Sequence, residues 1–185
     1  DIHPPEREEE IWQRYGKKAA VMVIDSSGFS RVTQKHGIIH FLSQLMQMRE
    51  MIQSVCARYR TLAFRFEADN VYVVFESPND AICAAMSIHE KIHEENLMLT
   101  EDERFRVSIG IGFGDLLYSE TLEGYFGDEM NLASKLGEDT AKGGETMITR
   151  AVYSNVDENL VSHFEPRRLS IAGIDAPCHI LRFEP

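Results

Sequence analysis

Two carboxylates stand where a cation could use them. Asp25 closes the apolar run KAAVMVID (18–25), and Asp69 sits 44 residues later in the turn of LAFRFEADNVYVVFES (62–77). A carboxylate at the end of a buried strand is costly unless it binds a cation or caps the helix that follows. If the two strands are neighbours, a strand end and a hairpin tip face each other across one sheet edge. Two such groups can hold a pair of divalent ions about 3.5–4 Å apart, and oxygen ligands of this kind suit Mg²⁺ or Mn²⁺. The turn Ser26, Ser27, Gly28, Phe29, Ser30 opens a helix, and its backbone N–H groups and positive dipole end offer a phosphate cradle. A metal pair beside a phosphate cradle reads as nucleoside-triphosphate chemistry. The same residues also fit a plainer role, with Asp25 as an N-cap and Asp69 as a turn residue bonding its own backbone. Spacing alone leaves both open.

The elements around these residues follow from periodicity. KAAVMVID, continuous and partly β-branched, predicts a buried central strand. Ile38, Phe41, Leu42, Leu45, Met48, Ile52, Val55 and Tyr59 recur mostly at three and four, which predicts one core-facing side of a long helix. Residues 62–77 predict two strands joined by a tight turn at Ala68, Asp69 and Asn70. Ser77 and Pro78 then match an N-cap and a first helical position, with Ile82, Ala85, Ile88 and Ile92 facing the core. FRVSIGIGFGDLLYS (105–119) predicts a strand whose glycines mark a bend or a close approach by another backbone. GYFGDEMNLASKLGED (124–139) predicts a glycine turn followed by a helix. A short strand, a short helix and two closing strands complete the chain. An antiparallel hairpin with helices packed on one sheet face is an α+β pattern.

Composition narrows the functional classes. The chain has 185 residues, 43% hydrophobic and 26% charged, with a net charge of -11. That size suits one domain with a core that needs no staples, and that charge repels a phosphate backbone, which argues against nucleic acid as a partner. Three cysteines, Cys56, Cys83 and Cys178, form no CxxC and read as reduced, buried thiols of a cytoplasmic protein. No apolar run approaches the length of a membrane span, so this domain is expected to make no membrane contact, although it could be the cytoplasmic part of a membrane-anchored protein. DIHPPEREEE reads as a linker with a solvated charge run, so residues 1–17 are assigned to a lead-in and 18–185 to the domain. The start at Asp1 suggests a piece of a longer protein. His89 and His93, spaced i and i+4, read as a surface face.

VMVIDSSGF, FRFEADNVYVVF, SIGIGFG and YFGDEMNLASKL occur in this order, and the chain thereby resembles the class III nucleotide cyclases, the adenylate and guanylate cyclase catalytic domains, over roughly residues 18–183. The resemblance implies a ferredoxin-like antiparallel-rich sheet with flanking helices. It also implies a homodimer with two shared sites, where the 3′ oxygen of ATP or GTP attacks the α-phosphorus and pyrophosphate leaves. Asp25 and Asp69 resemble the metal-binding pair, and Ser26 to Ser30 the phosphate turn. Asn131 falls where the family orients the ribose. Lys135 falls where the family has an arginine that stabilises the pentavalent phosphorus. Asn131 and Lys135, at i and i+4, share one helix face.

The sequence also departs from the family. Lys135 keeps the charge of arginine but loses its planar fork. At the positions that read the purine stand Arg65 and Gly124. A guanidinium only donates, which tilts the expectation to ATP over GTP. Ala68 stands where glycine is usual, and a positive φ there would be strained. These departures support an alternative: a weak or inactive cyclase-like module that binds nucleotide or dimerises. Arg167 and Arg168 read as a solvated strand start, and the Ala172–Gly173–Ile174 turn lacks the lysine that some members place near it. By family analogy, a sensor or regulatory domain precedes this one in the full-length chain.

Overall fold

The computed structural model describes residues 5–26, 29–119, 124–171 and 173–185. The described strands form one eight-stranded sheet in the order β2-β3-β1-β4-β6-β8-β7, with β5 on the outer part of β4. Strand β1 (Gly16–Ser26) is central. It pairs antiparallel with β3 (Asn70–Phe75) on one side and with β4 (Val107–Ser119) on the other. β2 (Thr61–Glu67) and β3 are the expected hairpin. The inner order β2-β3-β1-β4 is that of a ferredoxin-like fold, as the resemblance implied. β4 then pairs parallel with β6 (Glu145–Thr149), which pairs with β8 (Ile174–Arg182) and through it β7 (Glu165–Ile171).

Alternation along β1 gives each sheet face its own core. Ala20, Met22 and Ile24 face α3 (Ile38–Cys56) and α4 (Pro78–Glu94), packing with Met48, Ile52, Ile82 and Ile88. Ala19, Val21 and Val23 point the other way, toward Ala133 of α5 (Asp128–Ser134). Helices therefore cover both faces, where the sequence reading placed them on one. α4 begins as expected, with the Ser77 hydroxyl accepting from the Asn79 N–H at 3.2 Å and Pro78 in the first turn.

Four local features differ from or add to the sequence reading. The segment read as a linker carries helix α1 (Pro5–Tyr15), whose Trp12 packs on Gly16 so closely that no Cβ fits there. The predicted long helix is α3, and a separate helix, α2 (Phe29–His36), precedes it, with Gly37 at φ +86° between them. The front of the predicted core stripe is exposed, with Ile38 at 55% and Leu42 at 44%, while Leu45, Met48, Ile52 and Val55 are buried. GYF, read as a glycine turn, is the short strand β5 (Gly124–Phe126) paired with β4.

Candidate active site

Glycine decides how closely α5 can approach the sheet. A Cβ on Gly110 would collide with the Ala133 carbonyl, and one on Gly112 with the Glu129 carbonyl. The glycine row of β4 is therefore a flat seat for α5, the close-approach alternative of the sequence reading. Glu129 fixes the seat. Its Oε2 accepts from the Phe113 N–H at 3.1 Å and from the Thr149 hydroxyl at 2.7 Å. No sequence signal singled out Glu129.

α5 does not continue as a regular helix. Residues Lys135–Thr140 form a π turn, with the Ala141 N–H donating to the Leu136 carbonyl at 2.7 Å, an i to i−5 bond. Such turns are rare and recur at functional sites. Gly137 sits inside it, where a Cβ would lie 2.6 Å from the Val23 carbonyl. The Ser108 hydroxyl donates to the Gly137 carbonyl at 2.8 Å and pins the turn to β4. The widened turn carries Glu138 and Asp139 toward the end of β1.

Asp25 lies half-buried in β1, opposite Ser108 in the β1–β4 register. Its carboxyl is raised from 3.8 to about 6, first by burial and then by the charge of Asp69, against an opposing bond from the Ser26 backbone, with Glu138 and Asp139 adding smaller repulsions. Asp25 and Asp69 are thus brought close enough to repel, although they are 44 residues apart in sequence. Glu138 is held by the Tyr72 hydroxyl at 2.6 Å and the Asn70 amide at 3.4 Å. Beside Asp69, the Asn70 Oδ1 is buried with no hydrogen-bond partner among the described residues. No three acidic, histidine or cysteine side chains among the described residues stand close enough together to hold a metal ion by themselves; Asp25, Asp69 and the unmatched Asn70 Oδ1 are hard oxygen donors of the kind a divalent cation takes.

Asn131 and Lys135 are exposed and line one groove of about 650 Å³ with Asp128, Ser134, Glu138 and Asp139. Lys135 Nζ bonds Asp139 Oδ2 at 3.0 Å. Asp25 and Asp69 do not line this groove. Arg65 and Gly124 come together: a Cβ on Gly124 would lie 3.4 Å from Arg65 Nη1. The Arg65 guanidinium lies over the Tyr72 ring at 4.8 Å and 3.5 Å from Glu67 Oε2. Ala68 has the positive φ, 53°, that its position required. The Ser26 hydroxyl is buried and donates to Met48 Sδ at 2.6 Å. Ser27 and Gly28 lie outside the described residues, as do the side chains of Phe29 and Ser30; of the phosphate turn, Ser26 ends β1 and the backbone of Phe29 and Ser30 opens α2.

The sequence model of the adenylate and guanylate cyclase catalytic domain matches residues 12–181. The chain belongs to this family. It is 22% identical over 168 residues to "Putative adenylate cyclase 3" of Rhizobium meliloti (strain 1021), covering 90% of this chain but only 28% of that protein. The fold superimposes with a TM-score of 0.73 on the catalytic core of a rhodopsin-guanylyl cyclase with converted specificity in complex with ATPαS, at 16% identity, covering 91% of this chain and 97% of the other. It superimposes with a TM-score of 0.69 on the guanylate cyclase domain of RhGC from Catenaria anguillulae in complex with GTP, at 16% identity, covering 89% and 95%. Adenylate cyclases from Trypanosoma brucei in their monomeric state give a TM-score of 0.69 at 16% identity, covering 89% and 87%. These likenesses establish the cyclase-domain fold.

The remaining calls outside the site divide. Arg167 and Arg168 are exposed, and Arg168 meets Asp175 at 3.9 Å. Gly173 has φ +80° and Ile174 is 71% exposed, while Ala172 lies outside the described residues. Cys56 and Cys178 are buried and Cys83 partly so, all three as free thiols. Among the described residues no helix is long and apolar enough to cross a membrane. His89 overturns the surface-face reading, since it is 4% exposed and bonds the Thr146 hydroxyl at 2.9 Å.

Proposed function

We propose that this cyclase domain converts a purine nucleoside triphosphate, ATP in preference to GTP, into the 3′,5′-cyclic monophosphate and pyrophosphate, as a homodimer with shared sites. The observation that carries the reading is Asp25, half-buried at the end of β1, whose carboxyl is raised to about 6 first by burial and then by the charges of Asp69, Glu138 and Asp139, surroundings that favour a bound cation. Asp25 and Asp69 would hold two Mg²⁺ or Mn²⁺ ions. When bound, such ions neutralise phosphate charge and ease deprotonation of a hydroxyl.

The chain's own residues supply the rest. Asn131 would bond and orient the ribose, setting the 3′ oxygen in line with the α-phosphorus. The bond from the 3′ oxygen to the α-phosphorus forms as the bond to the pyrophosphate oxygen breaks. The hydroxyl proton leaves to solvent. Lys135 would meet the charge that develops on the α-phosphate, after exchanging Asp139 for the substrate. The Ser26–Ser30 turn would cradle the leaving phosphates. Arg65 would donate to the purine at the corner where Gly124 leaves room. Asn131 and Lys135 line a groove that excludes Asp25 and Asp69, an arrangement that suits a site completed by the opposite subunit.

The wider setting is an extension of the same proposal. Residues 18–185 form the catalytic unit, with the segment before them as its lead-in. The unit works in the cytoplasm, downstream of a sensor or regulatory domain and without touching membrane or nucleic acid. A second reading, a regulatory module without turnover, draws support from the Lys135–Asp139 ion pair and the strained Ala68. One experiment separates the two. The purified domain, given ATP or GTP with Mn²⁺, should release cyclic nucleotide and pyrophosphate in equal amounts. Absence of product from both nucleotides at high protein concentration would reject the enzyme.

A further inference from the structure

A cavity of 270 Å³ lies between α4, the start of β4 and the end of β8, away from the nucleotide groove. Its rim holds Arg104, Arg106 and Arg182, and no acidic side chain lines it. That concentration of positive charge is unexpected in a chain of net charge -11. Among the described residues neither Arg106 nor Arg182 has an ion-pair or hydrogen-bond partner for its guanidinium. Arg104 donates to His93 Nδ1 at 3.1 Å.

The wall behind the rim is apolar, built from Ile92, Leu97 and Phe105. Phe183 and His89 stack with ring centroids 5.8 Å apart and planes 14° from parallel. Burial holds His89 near 4, so it faces the cavity as a neutral ring at physiological pH. The Phe183 N–H donates to the Gly144 carbonyl and the Gly144 N–H to the Val107 carbonyl, both at 2.8 Å. The cavity is therefore framed by backbone bonds and a stacked pair. Val107 stands opposite Ser26 in the sheet register, one residue beyond Asp25.

We propose that this cavity binds a small organic carboxylate: a flat apolar body against Phe105, Leu97 and the Phe183–His89 stack, with its anionic group at Arg106 and Arg182. Guanidinium pairs with carboxylate in a bidentate fork, and an apolar pocket with few convergent polar groups is the usual form of a small-ligand site. The inference does not rest on the nucleotide reading.

The test is calorimetric titration of the intact chain with 1-naphthoate and with the neutral, size-matched 1-naphthylmethanol. Saturable binding of one naphthoate per chain is expected, with the alcohol weaker by about tenfold or more. Arg106→Gln with Arg182→Gln should weaken naphthoate by a similar factor and leave the alcohol unchanged. Both arginines are exposed, so the variant should fold, and thermal melting verifies that it does. Added salt should weaken the acid and spare the alcohol. Methyl NMR shifts confined to Ile92 and Leu97 would place the ligand. The proposal is overturned by absent saturation, by equal binding of acid and alcohol, or by naphthoate affinity that survives loss of both arginines.

Discussion

Asp25 and His89 move stability in opposite directions across much the same range of pH. Asp25 is raised from 3.8 to about 6 in the fold, so the folded chain binds the extra proton and stability falls as pH rises from about 4 to 6. His89 is lowered from 6.5 to about 4 by burial, so the unfolded chain binds the extra proton and stability falls as pH drops from about 6.5 to 4. In chelator, Asp25→Asn should therefore stabilise the domain at neutral pH, by about 1 kcal/mol after allowing for its partial exposure. His89→Gln, which can still reach Thr146, should flatten the acid loss, worth up to about 3 kcal/mol in the parent chain. Urea denaturation at several pH values reads both, and parallel curves for parent and variants would remove these groups from the account. Lys135 makes a different prediction. Lys135→Arg should raise kcat by about threefold to tenfold if the amine touches the α-phosphate, and an unchanged kcat would place Lys135 outside the reaction.

At the scale of elements, the contact between α5 and β4 determines where Asn131 and Lys135 stand. Gly137→Ala would drive a methyl to 2.6 Å from the Val23 carbonyl, which is backbone and cannot swing aside. The expected cost is about 1–3 kcal/mol, with loss of turnover at temperatures where the domain remains folded. Wild-type stability by chemical denaturation would show that the π turn does not bear on the sheet. Much of this layout was legible beforehand. The apolar run ending on Asp25, the hairpin around Asp69 and the Ser77–Pro78 helix start each follow from local chemistry, and the glycine row announced a close approach. The π turn was not legible, because KLGEDT keeps an ordinary helical pattern and widens only where Gly137 meets β1 and Ser108. Glu129 and Glu138 were missed for a related reason: their partners Thr149, Phe113, Tyr72 and Asn70 come from distant strands. The burial of His89 depends on Thr146 and Phe183, two more residues that only the folded sheet brings near.

At the scale of the whole molecule, the proposed carboxylate pair does not line the groove of Asn131 and Lys135, although Glu138 and Asp139 border both, and that arrangement makes the dimer testable. Asn131 and Lys135 line a groove without Asp25 or Asp69, while Ile38, Ile39, Leu42 and Met46 leave an apolar strip uncovered on α3. Exposed apolar strips of this kind mark surfaces that meet a partner. If two copies meet there or nearby, each complete site takes its carboxylates from one chain and its Asn131 and Lys135 from the other. Asp25→Ala and Asn131→Ala should then each be inactive alone, because both sites of either symmetric dimer lack one half. Mixed in equal amounts and allowed to exchange, half the dimers are hybrids, and each hybrid holds one intact site and one doubly damaged site. Activity should recover to about a quarter of the parent value. Ile39→Lys with Met46→Lys, introduced into both chains, should abolish the recovery if the strip lies in the interface, and sedimentation should show monomers. A mixture that stays inactive despite exchange would mean that each chain carries its own complete site.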